Sequence, residues 1–401
     1  MQRPTVLLIV PFTAFPTNSG GRQRILHAIE QMSKKYRLTV WSFVGADSLL
    51  EQESVWLEAL GVEYRFFELG KESWLATFLQ RQPYWFTPWW NEELVGALAA
   101  LKLNQFKLIQ IEGTQLLYLS TALRMFKQKV FVAYDISTLS FWRRMCGERN
   151  YLKKLLQLWR VLEIYLYERL HLPKFEQVIA MSEHDAVYLQ RHFAVKQVRV
   201  LPNGIAQVSF LPVKSNNNKI SLGYIGAFTH PPNQAAVSFL ITQILPALES
   251  AGVSYELVLA GEQDPKLLQQ LLQQAQISPT RLRILGYVAE AADFYRQIDL
   301  LVAPIFAGSG TRVKILESLS YGRPVVTTQI GAEGIEIVSP FLKILAKSEQ
   351  LDPVVWLKEI LDFVNSNQEI ITQRNELKKQ LEEMTWEKVF DDLYGNFEKL
   401  L

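Results

Sequence analysis

Apolar residues along this chain alternate between two patterns. Short unbroken apolar runs, bounded by turn residues, read as buried strands; longer stretches with apolar positions three and four apart read as amphipathic helices. In the first half this predicts strands at 5–10, 38–43, 63–67, 108–112, 130–134, 178–181 and 198–201. Helices at 23–35, at 48–60 and within 151–171 lie between them. The second half repeats the alternation, with strands at 220–225, 255–260, 282–285, 300–303 and 325–328 and helices at 234–251, 266–276, 292–297 and 311–321. A polar helix at 368–383 and a last helix at 385–401 follow, the latter with Trp386, Val389, Phe390, Leu393, Phe397 and Leu400 at helical spacing. Strands separated by helices build parallel, doubly wound sheets. The expected class is α/β, with doubly wound parallel sheets. A polar run of Ser and Asn at 210–219, FLPVKSNNNK, is the best linker and divides the chain near its middle.

Two segments invite more than one reading. The stretch 74–90 is dense in Trp and other aromatics. It suits a helix pair capping the first core, or a surface for an acceptor or a membrane interface. The segment 151–169, YLKKLLQLWRVLEIYLYER, has an apolar face and a basic one. Most such helices pack on a sheet; a membrane-surface role is the second reading.

Composition narrows the classes. At 401 residues, two domains are expected. Apolar residues make up 49% of the chain, enough for large cores. The net charge of +2 argues against a nucleic-acid partner, which would meet a basic face. One cysteine, Cys146, excludes a disulfide framework and a Cys-based metal site, and fits a reducing, cytoplasmic compartment. The N-terminal apolar run is short and ends at a proline, so it reads as a first strand. No run reaches the ~18 apolar residues of a membrane span. The protein is expected to be soluble, or at most peripheral to a membrane.

The stretch 300–328 carries the chemistry. A buried strand runs into a loop with Gly308 and Gly310, then an amphipathic helix, Gly322 and a second buried strand. Backbone N–H groups and the dipole at a helix N-terminus favour an anion. Arg312 and Lys314 add two cations there, and Glu317, one turn on, is an acceptor for sugar or ribose hydroxyls. Phosphate donors beside a hydroxyl-binding carboxylate are what a nucleotide-sugar site needs. A capped helix with solvated basic residues is the plain alternative. No GxGxxG follows the first strand, which disfavours a dinucleotide oxidoreductase.

Several motifs in order resemble the retaining GT-B glycosyltransferases of the group 1, family 4 type. They are GGRQR at 20–24, IAMSEHDA at 179–186, VLPNGI at 200–205 and IGAFTHPPNQAA at 225–236. LVLAGE at 257–262, LGYV at 285–288, FYRQIDLLVAP at 294–304 and the GSGTRVKILESLSYGRPVV run complete them. The resemblance implies two Rossmann-like domains facing a cleft. Residues 1–209 would be an acceptor-side domain and 210–384 a nucleotide-sugar-binding domain, with the helix 385–401 crossing back onto the first. It implies a hexosyltransferase that moves a sugar from a nucleotide-diphosphate donor to a glycan, lipid-linked or small-molecule acceptor, with retention at the anomeric carbon. That is the chemistry of polysaccharide or glycoconjugate biosynthesis. No separate cofactor is implied. No DxD pair is present, so no metal is expected, and protein cations must meet the leaving-group charge. A nucleotide-sugar epimerase and a non-catalytic GT-B scaffold are the alternatives.

Residue roles follow from the resemblance. Arg312, Lys314 and Asp135 are the candidate catalytic residues; Gly20, Gly21, Gly308, Ser309, Gly310, Thr311 and Glu317 are the candidate donor-binding residues. The family often carries two glutamates eight residues apart here; Glu317 fits the second position and Ser309 occupies the first. Where the family often has a histidine, this chain reads YDIST, with Asp135 and Ser137. Arg22 and Arg24 are read either as charge toward the diphosphate or acceptor, or as solvated residues of a helix start. His230 and Glu333 are weaker candidates, and Ser182, Glu183 and His184 read at least as well as a helix start.

Overall fold

The structure, a computed structural model, describes residues 3–72, 77, 82–148, 150–212, 219–228, 230–262, 264–365 and 372–395, with side chains to 391 in the last span. The predicted linker lies mostly outside these residues, as do much of the aromatic stretch 74–90 and parts of the last two predicted helices.

The chain builds two parallel sheets. In the first, β1 (Thr5–Val10), β2 (Arg37–Val44), β3 (Glu63–Glu68), β4 (Leu108–Glu112), β5 (Lys129–Val132), β6 (Gln177–Ala180) and β7 (Val198–Val200) stand in the order β3-β2-β1-β4-β5-β6-β7. In the second, β8 (Ile220–Ile225), β9 (Tyr255–Ala260), β10 (Leu282–Gly286), β11 (Leu300–Ala303), β12 (Val325–Thr328) and β13 (Leu342–Leu345) stand in the order β10-β9-β8-β11-β12-β13. Both are α/β sheets of the doubly wound kind. The central strands pair on both sides: Leu7 faces Thr39 of β2 and Ile109 of β4, and Leu222 faces Leu257 of β9 and Leu300 of β11. A parallel strand sandwiched between helices must be apolar on both faces. Accordingly Val6–Val10, Leu257–Ala260 and Leu301–Ala303 are fully buried.

Each sheet belongs to its own compact unit. The first comprises Met1–Pro202, Gly308–Gly310 and Glu387–Leu401; the second comprises Asn203–Ala307 and Thr311–Trp386. Leu7, Ile9, Phe43, Ile111, Phe131 and Val178 lie in the first core. The second unit has one core on each face of its sheet, one around Leu222, Leu259 and Trp356 and the other around Val258, Ala303 and Ile315. Burying each such large side chain contributes about 1.5–3 kcal/mol.

Differences from the predicted elements have local causes. The predicted helix 234–251 is in fact Pro231–Phe239, a π-helical turn over Leu240–Ile244 and a last helix Leu245–Ser250. Pro246 cannot donate the backbone hydrogen bond a continuous α-helix requires, so the ladder widens before it. Strand β13 is absent from the sequence reading because it is an edge strand, with Leu342 and Leu345 buried but Lys343 and Ile344 exposed. That pattern is neither a continuous run nor a strict alternation. In the described part of the aromatic stretch, Trp85, Trp89 and Trp90 pack on the first core. The Trp89 indole N–H donates to the Pro11 carbonyl at 2.7 Å. Among the described residues, no helix is long and apolar enough to cross a membrane.

Candidate functional site

In a doubly wound sheet the strand order reverses at one place, and a crevice opens there at the carboxyl ends of the strands. In the second unit that place lies between β8 and β11. Strand β8 ends at Ile225 and passes into Gly226; β11 ends at Ala303, and its loop leads to the helix Val313–Ser320. Arg312 stands immediately before that helix, Lys314 is in its first turn and Glu317 is one turn further on. The first turn holds no acidic residue. Two cations at the positive end of a helix are electrostatically unfavourable without an anion.

Lys314 is held by residues the sequence reading did not single out. Its Nζ donates to Tyr224 Oη at 3.1 Å and to Asn233 Oδ1 at 3.0 Å. It also lies 4.2 Å from the centre of the Tyr224 ring. Asn233 is fixed in turn, accepting from Tyr224 Oη at 2.8 Å and donating to the Ala227 carbonyl at 2.8 Å. Gly226 makes this packing possible. A Cβ there would stand 2.8 Å from Lys314 Nζ and 2.7 Å from Asn233 Nδ2. Burial, with the nearby Arg312 charge adding to it, pushes the Lys314 ammonium down to about 7, and Glu317 opposes the shift. A lysine so placed is poised to gain charge when an anion arrives.

The Glu317 carboxylate is oriented by Tyr295. The tyrosine hydroxyl lies 2.9 Å from the Lys314 carbonyl and 3.4 Å from Glu317 Oε2. Tyr295 is fully buried, and burial followed by the Glu317 charge raises its pKa well above the usual value, so it stays a donor. Thr311 is placed through its backbone, its carbonyl accepting from Asn203 Nδ2 at 3.1 Å. Arg312, Lys314, Glu317 and Thr311 therefore come together at the switch point of the second sheet. The signals for their partners were a glycine at a strand end and the Asn of the Pro-Pro-Asn turn. A buried Tyr in an apolar run gives no such signal.

The remaining candidates lie in the first unit, which includes Gly308–Gly310. There Ser309 Oγ accepts from the Ile136 N–H at 2.9 Å, and Arg143 donates to the Gly308 carbonyl at 2.5 Å. Gly308 and Gly310 both have positive φ, +103° and +75°. A Cβ on Gly310 would stand 2.6 Å from the Tyr134 carbonyl, so only glycine fits. Asp135 accepts from Ser137 Oγ at 3.3 Å and Ser140 Oγ at 3.1 Å, at the start of the helix Ser137–Gly147. Glu168, from the helix Tyr151–His171, caps the same helix and accepts from the N–H groups of Ser137 (2.9 Å) and Thr138 (3.2 Å). Burial pushes its carboxyl up to about 8; the Asp135 charge acts the same way, and the bonds from Thr138 and Ser137 oppose it.

Gly20 and Gly21 open the first helix behind Ser19, whose hydroxyl accepts from the Arg22 N–H. The neighbour that needs the missing side chain at Gly21 is Phe12, whose ring would lie 2.9 Å from a Cβ. Arg22 donates to the Phe15 carbonyl at 2.6 Å and pairs with Asp47 at 2.8 Å. Arg24, 2% exposed, donates to the Leu201 and Pro202 carbonyls. Neither arginine is a solvated helix-start residue. Ser182 caps the helix Glu183–His192 through the Asp185 N–H at 3.1 Å. The His230 carbonyl accepts from the Asn233 N–H at 3.0 Å. At the first sheet's own reversal, Glu112 ends β4 and accepts from Tyr134 Oη at 2.6 Å; burial raises its pKa, with Arg24 opposing. The sequence reading missed Glu112 and Glu168 because each sits inside an apolar stretch. Among the described residues no group of three or more His, Cys, Asp or Glu could hold a metal ion.

Comparison with known proteins bears on the fold and on the second unit. Residues 219–350, about a third of the chain, match the family profile described as glycosyl transferases group 1. Among solved structures, sucrose-phosphate synthase from Thermosynechococcus elongatus superposes with a TM-score of 0.71 at 14% identity, over 99% of both chains. Anabaena HepE in complex with UDP-glucose gives 0.65 at 14% identity, over 98% of this chain and 99% of that one. A UDP-forming trehalose-phosphate synthase from Burkholderia xenovorans gives 0.64 at 11% identity, over 99% of both. Among curated protein sequences none matches the chain. The two parallel-sheet units have the GT-B fold of these enzymes, and the profile match supports a glycosyltransferase.

Proposed function

We propose that this chain transfers a sugar, as a hexosyltransferase, from a nucleoside-diphosphate donor to an acceptor, with retention at the anomeric carbon and without a metal ion. The observation that carries the reading is Lys314. It stands two residues after Arg312 at the N-terminus of a helix, its ammonium shifted by burial and by the Arg312 charge to about 7, at the place where an α/β sheet takes its ligand. A diphosphate brings negative charge to these two cations. On departure of the nucleoside diphosphate, charge grows on the leaving oxygen, and Arg312 and Lys314 are the cations that stabilise it. Glu317, steadied by Tyr295, accepts from the ribose hydroxyls. The second unit is the donor-binding domain. The first carries the acceptor side, with Asp135 as its candidate catalytic group and the glycines at 20–21 and 308–310 and Ser309 as donor contacts. UDP and UDP-glucose are bound by the HepE relative, so uridine nucleotides are the first to try.

Calorimetry with UDP, GDP, ADP and the corresponding sugars tests the donor. One nucleoside diphosphate should bind, and both Arg312→Ala and Lys314→Ala should weaken it. NMR of the anomeric proton before turnover and in the product then tests retention. Binding that survives both substitutions would remove the assignment, and an inverted product would remove the stereochemical part alone.

A further inference from the structure

The helix Tyr151–His171 buries one side against the first unit through Val161, Ile164, Tyr167, Glu168 and His171. A helix in that position ordinarily turns polar residues outward. This one turns out Leu152 (78% exposed), Leu155, Trp159 (62%), Leu162 and Leu166. At 3.6 residues per turn, Tyr151, Leu158 and Leu170, also exposed, fall with them on one arc roughly 120° wide, opposite the buried side. On the preceding helix, Ser137–Gly147, Trp142 is exposed as well.

The exposed charges of the Tyr151–His171 helix are all basic: Lys153 and Lys154 near its start, Arg169 near its end. Its two acids are withdrawn, Glu163 half-buried and Glu168 buried. An apolar face that carries Trp, with Arg169 within it and Lys154 at its edge, has the composition of a helix that lies in the headgroup region of a membrane. The basic side chains can meet lipid phosphates while their stems stay in apolar surroundings. A second copy of the chain fits the face less well. Two-fold packing of this helix on itself sets basic ends against basic ends, whether the helices run parallel or antiparallel. Spanning is excluded for this helix, because its run is too interrupted by charge to cross a bilayer. We infer that the outward face of Tyr151–His171, extended by Trp142, docks the protein on the surface of an anionic phospholipid bilayer. The inference is independent of the proposed transferase activity, since no residue of the candidate site lies on this face.

Flotation of the full chain with vesicles tests it. The protein should rise with phosphatidylglycerol–phosphatidylcholine vesicles and stay behind with phosphatidylcholine alone, and high salt should weaken recovery. Lys153→Gln with Lys154→Gln should lower partition roughly thirtyfold. Leu155→Ser with Trp159→Ser and Leu162→Ser should abolish flotation while the melting temperature changes little, because these side chains already face water. Brominated lipid should quench part of the wild-type fluorescence, and Trp159→Phe with Trp142→Phe should remove most of that quenching. Failure of the wild type to float on anionic vesicles overturns the proposal. So does undiminished flotation of the triple variant. A dimer in sedimentation velocity that the triple variant dissociates, without vesicle binding, would assign the face to self-association instead.

Discussion

A single side chain illustrates how burial prepares chemistry. Lys314 holds a folded-state pKa of about 7 against an ordinary value of 10.5, first because it is desolvated and then because Arg312 is near. A depressed pKa of this sign favours the fold above about 10.5, and the benefit is lost as pH falls towards 7. A bound diphosphate should reverse the shift. Nucleotide binding at pH 8 is therefore expected to take up protons, seen as a binding enthalpy that differs between phosphate and Tris buffers. Lys314→Met should abolish the difference. Identical enthalpies in both buffers for the wild-type protein would mean that the lysine does not meet the ligand. In turnover, loss of either Arg312 or Lys314 should cost about 2–4 kcal/mol of transition-state stabilisation. At Glu317, replacement by Gln should weaken nucleoside-diphosphate binding by about 1.5–3 kcal/mol, since a charged acceptor becomes a neutral one. Unchanged calorimetric affinity would return Glu317 to a structural role beside Tyr295.

Elements are joined by polar groups buried between them. Glu168 reaches from one helix to satisfy the first N–H groups of another, Ser137–Gly147. Its folded-state pKa is raised from 4.5 to about 8. The stability this shift contributes is present in full below pH 4.5 and is lost as pH rises through 8. The first unit should thus lose stability between about pH 5 and 9, and Glu168→Gln should flatten that slope in pH-dependent thermal melts. Glu168→Ala should cost about 1–3 kcal/mol, because it leaves buried donors unmet. A wild-type profile flat across this range would show that the carboxyl is ionised in the fold. At the end of β8, Gly226→Ala would drive a methyl into Asn233 and Lys314 from a backbone φ of +156°. The strand itself is untouched, so nucleotide affinity should fall well before cooperative unfolding is impaired. A variant that binds nucleotide as the wild type does would show that Lys314 can move aside at no cost.

At the scale of the molecule, the chain ends by leaving one unit for the other. Ile205 and Thr385 form an isolated parallel bridge within the second unit. The backbone at Gly204 is tight against Trp386, where a Cβ would stand 2.8 Å from its nitrogen. From Glu387 on, the helix Trp386–Gly395 belongs to the first unit, where Asp391 pairs with Lys35 at 2.6 Å and the Arg24 guanidinium lies over the Phe390 ring. Truncation after residue 384 is expected to lower the melting temperature of the first unit chiefly through Phe390 and Val389, both buried, since the exposed Lys35–Asp391 pair is worth little. A truncated chain melting at the wild-type temperature would show that this helix is dispensable to that unit. The proposed transferase is also expected to keep its activity in EDTA. Loss of turnover that magnesium or manganese restores would reveal a metal site.

Much of the fold was legible in the sequence because burial on both faces forces parallel strands into apolar runs. Val6–Val10, Leu257–Ala260 and Leu300–Ala303 could be read for that reason alone, and the linear order of strands and helices entailed two doubly wound sheets. The glycine loop and the basic start of the helix Val313–Ser320 were legible too, since Gly308, Gly310, Arg312, Lys314 and Glu317 are neighbours along the chain. Edge strand β13 was not, because half of it faces solvent. Pairings across long sequence separations were also hidden. Nothing in the local pattern said that Tyr224 and Asn233 would hold Lys314, that Tyr295 would steady Glu317, or that Glu168 would cap a helix 31 residues before it. Nor did periodicity tell which side of Tyr151–His171 is covered, for the covered side mixes Val161, Ile164 and Tyr167 with Gln157, Glu168 and His171. Sequence fixes what is adjacent along the chain and what must leave water; only the folded structure decides which buried polar groups meet, because their mutual desolvation and hydrogen bonding exist only after the sheets have formed.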